Sequence, residues 1–96
     1  GAMAALMYAD ETKDHAVLFV YRTDYLNGQA MPKVRLDGVD ENKNYRIKDL
    51  TPLNPSKPSN LNGKVVSGRV LKYAGLNVSG SLSRPWTSLT LELTAE

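Results

Sequence analysis

The sequence predicts an all-β fold: an antiparallel β-sandwich of about six to eight short strands, with one short helical turn near residues 67–74. Three observations carry this expectation. Apolar residues alternate with polar ones over short stretches, most strictly at the end, where Leu89, Leu91 and Leu93 interleave with Thr90, Glu92 and Thr94. Connections rich in Gly, Pro, Asn, Asp and Ser separate these stretches, as turns between antiparallel strands require. Helical spacing is confined to Val66, Val70, Leu71 and Ala74, where Ser67 is placed to cap the start and Gly75 to end the turn.

Taken in order, Ala4–Ala9 reads as a first strand with Leu6 and Tyr8 on one face and Ala5, Met7 and Ala9 on the other. Asp10–His15 is short and charged, suited to an exposed hairpin connection. Ala16–Tyr21 is apolar on both faces, Val17, Phe19 and Tyr21 against Ala16, Leu18 and Val20, and is expected to be a central strand buried on each side. Arg22–Pro32 is a loop. Lys33–Pro52 then reads as a hairpin: Val34 and Leu36 alternate with Lys33 and Arg35, Tyr45 and Ile47 alternate with Arg46 and Lys48, and a polar loop reverses the chain between them. Residues 51–63 hold three prolines and three asparagines, a composition that cannot ladder into a central strand, so a long exposed and mobile loop is expected there. Asn62-Gly63 offers a tight turn into Lys64–Val66, Leu76 and Val78 return to strand after the helical turn, and the segment 79–85 is a further polar connection.

Composition bounds the function. Ninety-six residues suffice for one small core and not for two domains. Gly1-Ala2-Met3 reads as a cloning scar, leaving 4–96 as a single domain. The net charge of +2 is scattered, which argues against a nucleic-acid or acidic-membrane partner. The chain has no cysteine, hence no disulfide framework and no thiolate metal site, and nothing in it reads as a compartment signal. The longest apolar run, Ala16–Tyr21, is far short of a membrane span.

Three stretches carry a family resemblance. The turn LDGVD (36–40) followed by YRIKDL (45–50) resembles the C-terminal β-sandwich domain of the glycoside hydrolase family 36 α-galactosidases. NGKVVSGRVLKYAGLNV (62–78) resembles a G-x-x-x-S-G-x-x-L-x-x-x-G-L segment of the same domain, and MYADETKDHAVLFVYR (7–22) its opening hairpin. The likeness covers about Leu6 to Thr94 and includes no catalytic motif of the family. It implies a larger parent that hydrolyses terminal α-linked galactose with retention, through a (β/α)8 barrel that alone takes about 250 residues. Residues 51–63 look longer than the resemblance requires, and the resemblance is not carried by Arg84-Pro85-Trp86.

The residues themselves offer no catalytic centre. Glycoside hydrolysis needs two carboxyl groups held across the scissile bond, whereas Asp10, Glu11, Asp14, Asp37, Asp40 and Glu41 all fall in connections that water reaches. Asp49, at a strand end, is expected to pair with Arg46 or Arg69. His15 is the only histidine; neither a zinc cluster nor a serine or cysteine triad is read around it, and a turn role is expected. Asp37, Asp40 and Glu41 lack the spacing of a calcium loop. No metal or cofactor is expected. Sugars stack on exposed aromatic faces, which makes Trp86, Tyr25 and Tyr73 the candidate residues for a sugar or an interdomain contact, against a plain packing role for each.

Two functional readings follow. In the first, the domain is a non-catalytic appendage that packs against the catalytic barrel of its own chain and against a subunit of a homo-oligomeric parent. It predicts an exposed apolar face on the fragment, with Leu53, Leu61, Val78 and Trp86 as candidates. In the second it is a carbohydrate-binding module using exposed aromatics. A free-standing immunoglobulin-like adhesion domain is the poorer option, because the Cys…Trp…Cys pattern is lacking.

Overall fold

The computed structural model describes residues 3–23, 33–52, 56–80, 82 and 87–96. Five strands, β1 (Met3–Ala9), β2 (His15–Arg22), β3 (Asn44–Asp49), β4 (Val65–Ser67) and β5 (Thr87–Ala95), form one antiparallel sheet in the order β1-β2-β5-β3-β4. The fold is all-β, as expected. The strictly alternating C-terminal stretch becomes the middle strand: it pairs with β2 from His15↔Thr94 to Arg22↔Thr87 and with β3 from Tyr45↔Ala95 to Asp49↔Leu91. Its Leu89, Leu91 and Leu93 are buried on one face.

The inner face of the sheet is covered by a second layer that is bridged rather than laddered. Val34 and Leu76 exchange backbone hydrogen bonds of 2.9 and 2.7 Å as an isolated antiparallel bridge, and the Leu36 amide donates to the Leu71 carbonyl at 2.9 Å. Val34, Leu36, Val39, Leu61, Leu71, Leu76, Val78 and Leu82 of this layer form a single core with Leu18, Val20, Tyr45, Ile47 and the three β5 leucines. Each such aliphatic side chain contributes about 1.5–3 kcal/mol on full burial. This arrangement corrects the expected hairpin. Residues 33–36 do not pair with 45–48, because both edges of β3 are taken, by β5 and β4. The turns at 37–43 instead carry the preceding segment off the sheet and over its inner face.

Local chemistry fixes the remaining elements. A single helical turn of π type spans Val70–Ala74, within the expected range. Ser67 Oγ accepts from the Val70 amide at 3.2 Å, and Gly75, at φ 89°, returns its amide to the Val70 carbonyl at 2.8 Å. The Asn62-Gly63 turn forms as read: Gly63 has φ 84° and donates to the Ile47 carbonyl at 2.7 Å.

Asp49 corrects a second expectation. Its side chain is buried and pairs with neither arginine; it accepts from the Thr51 amide at 3.2 Å and from the Ser59 amide at 2.9 Å, while Asn62 Oδ1 accepts from its own amide at 2.8 Å. Alternation along β3 explains this, since Asp49 points inward with Ile47 while Arg46 points outward to Glu96 and to the Gly63 carbonyl. The described residues of the proline-rich loop are therefore tied back to β3 at both ends. Arg22, expected to open a loop, is instead the last residue of β2; it is buried and donates from Nη1 to the Leu82 carbonyl at 2.6 Å.

Candidate functional site

The hairpin connection between β1 and β2 is docked onto the turns before β3. Asp10 Oδ1 accepts from the amides of Asp14 and His15, at 3.0 and 3.3 Å, and Lys13 adopts a left-handed φ of 58°. Lys43 reaches across to the Thr12 carbonyl and to Asp14 Oδ1, both at 2.6 Å. The same contacts depress the Asp14 carboxyl below its ordinary range, chiefly through the Lys43 hydrogen bond, and raise Lys43 through its bond to Asp14. These carboxylates hold turns together rather than flanking a cleft. Among the described residues no three of His, Asp and Glu gather at metal-binding distance. His15 opens β2, with its Nε2 3.1 Å from Glu92 Oε2 on the neighbouring β5.

The surface with the clearest interaction character is the outer face of β1 and β2. Directly paired residues share a face, so the register Leu6↔Phe19, Tyr8↔Val17 and Ala4↔Tyr21 places these six side chains together. Leu6, Tyr8 and Phe19 are 57%, 71% and 40% exposed, and the Phe19 and Tyr21 rings stack with centroids 6.4 Å apart. Beyond β2 the same face turns polar, because Phe19 and Val17 pair with Thr90 and Glu92, and Glu92 and Thr94 pair in turn with Lys48 and Arg46. The apolar patch is thus confined to the β1–β2 half of the face.

This overturns one expectation and relocates another. β2 is not buried on both sides: Ala16, Leu18 and Val20 face the core, while Phe19 lies open, and β2 sits second in the sheet rather than at its middle. An exposed apolar cluster is present, yet not at the residues expected to form it. Leu61 and Val78 belong to the core, and Leu53 and Trp86 lie outside the described residues. Nothing in the alternation of Ala4–Ala9 shows which of its faces is wet, because both are apolar.

Of the three candidate sugar-contacting aromatics, Tyr25 and Trp86 lie outside the described residues. Tyr73, on the helical turn, is 61% exposed. A hydrogen bond with Glu41 raises its phenol above the ordinary value.

Comparison with known proteins assigns the chain. The profile of the glycosyl hydrolase family 36 C-terminal domain matches residues 3–93, and the chain belongs to that family. Among solved structures, the whole chain superposes on AgaB, a GH36 α-galactosidase from Geobacillus stearothermophilus, with a TM-score of 0.76 and 26% identity, spanning 11% of that chain. It superposes equally on the galactosidase domain of AgaSK, an α-galactosidase-sucrose kinase, with a TM-score of 0.75 and 25% identity, spanning 12% of that chain. A third similar structure is a variant of AgaA, a GH36 α-galactosidase from the same Geobacillus species, in complex with raffinose, with a TM-score of 0.75 and 26% identity over 11% of that chain. No sequence among the curated proteins matches.

Two of the stretches that carry the resemblance, 36–50 and 62–78, meet in space. Gly68, from the second, packs so closely on the Asp40 carbonyl of the first that a Cβ there would lie 1.9 Å from the oxygen. Gly38 of the first stretch lies against Met7 of β1, where a Cβ would meet the methionine methyl at 2.3 Å.

Proposed function

We propose that the chain is the non-catalytic C-terminal domain of an α-galactosidase-like glycoside hydrolase. Retaining hydrolysis of terminal α-linked galactose falls to a barrel elsewhere in the parent chain, and the role of this domain is structural, packing against that barrel. The observation that carries this reading is the match of the whole chain to 11–12% of each α-galactosidase chain, in a family defined as a C-terminal domain. Asp10, Asp14 and Asp40 support it, since their carboxylates are engaged in hydrogen bonds within and between the turns.

Incubation of the 96-residue chain with an aryl α-galactoside tests the division of labour. No release of the aryl alcohol is expected from this chain, and turnover by it would overturn the reading.

A second reading, carbohydrate binding, is favoured by one observation, the exposed ring of Tyr73. It expects amide shifts near Tyr73, Tyr25 or Trp86 on titration with galactose or raffinose. Unmoved amides at high millimolar sugar would remove it.

A further inference from the structure

We infer that the outer face of β1 and β2, together with the free edge of β1, is the surface on which the preceding part of the parent chain is seated. This rests on reading the chain as an appended domain and adds where the contact lies. Two independent features converge on β1. Its outer face carries Leu6 and Tyr8 beside Phe19 of β2, three large side chains clustered on adjoining strands rather than scattered. A cluster of that kind marks an interaction surface. Its free edge is the other feature. Among the described residues β1 is paired with β2 on one side and with no strand on the other. Strands at sheet edges are ordinarily protected by charges, prolines or bulges, yet MAALMYA holds no charge and no proline over its seven residues. The opposite edge strand, β4, is only three residues long and has no such need.

The occupant follows from the chain's place in its relatives. The domain is C-terminal by family and makes up 11–12% of the chains it matches, so nearly all of such a polypeptide precedes it. That polypeptide enters through β1, the strand that carries the open patch. The composition of the face agrees: the apolar half sits at the entering strand, and the charged half, Arg46, Lys48 and Glu92, lies towards β3.

The test is photocross-linking in the full-length parent, with p-benzoyl-phenylalanine replacing Tyr8 in one variant and Phe19 in another. Both exchanges keep an aromatic ring at an exposed site. Irradiation is expected to join each position to a peptide of the preceding domain in the same chain, read by mass spectrometry as an intramolecular cross-linked pair. Cross-links into a second copy, into this domain alone, or none from either position would overturn the inference while leaving the appended-domain reading intact. A natural polypeptide lacking an upstream glycosidase domain would instead overturn that reading itself.

Discussion

The phenol of Tyr45 donates to the Lys13 carbonyl at 2.6 Å and accepts from the Asp40 amide at 2.9 Å, so one buried ring on β3 ties the β1–β2 turn to the turn that precedes its own strand. Tyr45→Phe keeps the packing and leaves a part-buried amide and a carbonyl without their partner. A loss of about 1–3 kcal/mol is expected on that ground. Urea denaturation checks it, and a change within experimental scatter would show that water replaces the phenol at no cost.

Gly68 and Gly63 both lie in the stretch 62–78, and the structure separates their roles. Gly68→Ala drives a Cβ into the Asp40 backbone, which cannot swing aside as a flexible side chain would. Overpacking of this kind costs about 1–3 kcal/mol or more, so failure to fold or the largest loss in a glycine scan is expected. Gly63→Ala has open space around the new methyl and suffers only from its φ of 84°. Its cost is expected to be about 1–2 kcal/mol, that of a left-handed alanine. Thermal denaturation of the two variants ranks them, and the reverse order would contradict the structure.

The Asp14–Lys43 pair makes stability pH-dependent at both extremes. The Asp14 pKa is lowered on folding, chiefly by the Lys43 hydrogen bond, so its contribution is present above the unfolded carboxylate pKa and is lost as pH falls through the lower folded value. Lys43 is raised by the same bond, so its contribution is present below the ordinary lysine pKa and is lost as pH rises through the higher folded value. The neutral range is the plateau between them. Asp14→Asn is expected to flatten the acid limb of a denaturation-midpoint profile, and less so at high salt, since the pair is exposed and screened. An unchanged acid limb would show that the pair contributes nothing.

Much of this fold is legible in the sequence because the alternation is local. Leu89, Leu91 and Leu93 fix which face of β5 is buried, and Ser67 and Gly75 bracket the helical turn within a residue or two. What escapes is decided by partners distant in sequence. Val34 and Leu36 alternate as well as any strand, yet they bridge to Leu76 and Leu71, because β5 arrives from the far end of the chain to take the β3 edge. The same holds for the exposed face: Val17, Phe19 and Tyr21 read as buried since apolar residues line both sides of β2, and only the packing of the second layer on one face of the sheet decides which side is the core. Asp49 was unreadable for a different reason. Its partners are the backbone amides of Thr51 and Ser59, which carry no sequence signal.

The central claim, that this domain is one part of a longer glycosidase, is tested most directly by the length of the natural polypeptide. An antibody raised against the 96-residue chain would be used to probe an extract of the source cells. A band of several hundred residues, with room for an upstream barrel of about 250, is the expected result. A band no larger than this chain would contradict the account and leave a free-standing sandwich in its place.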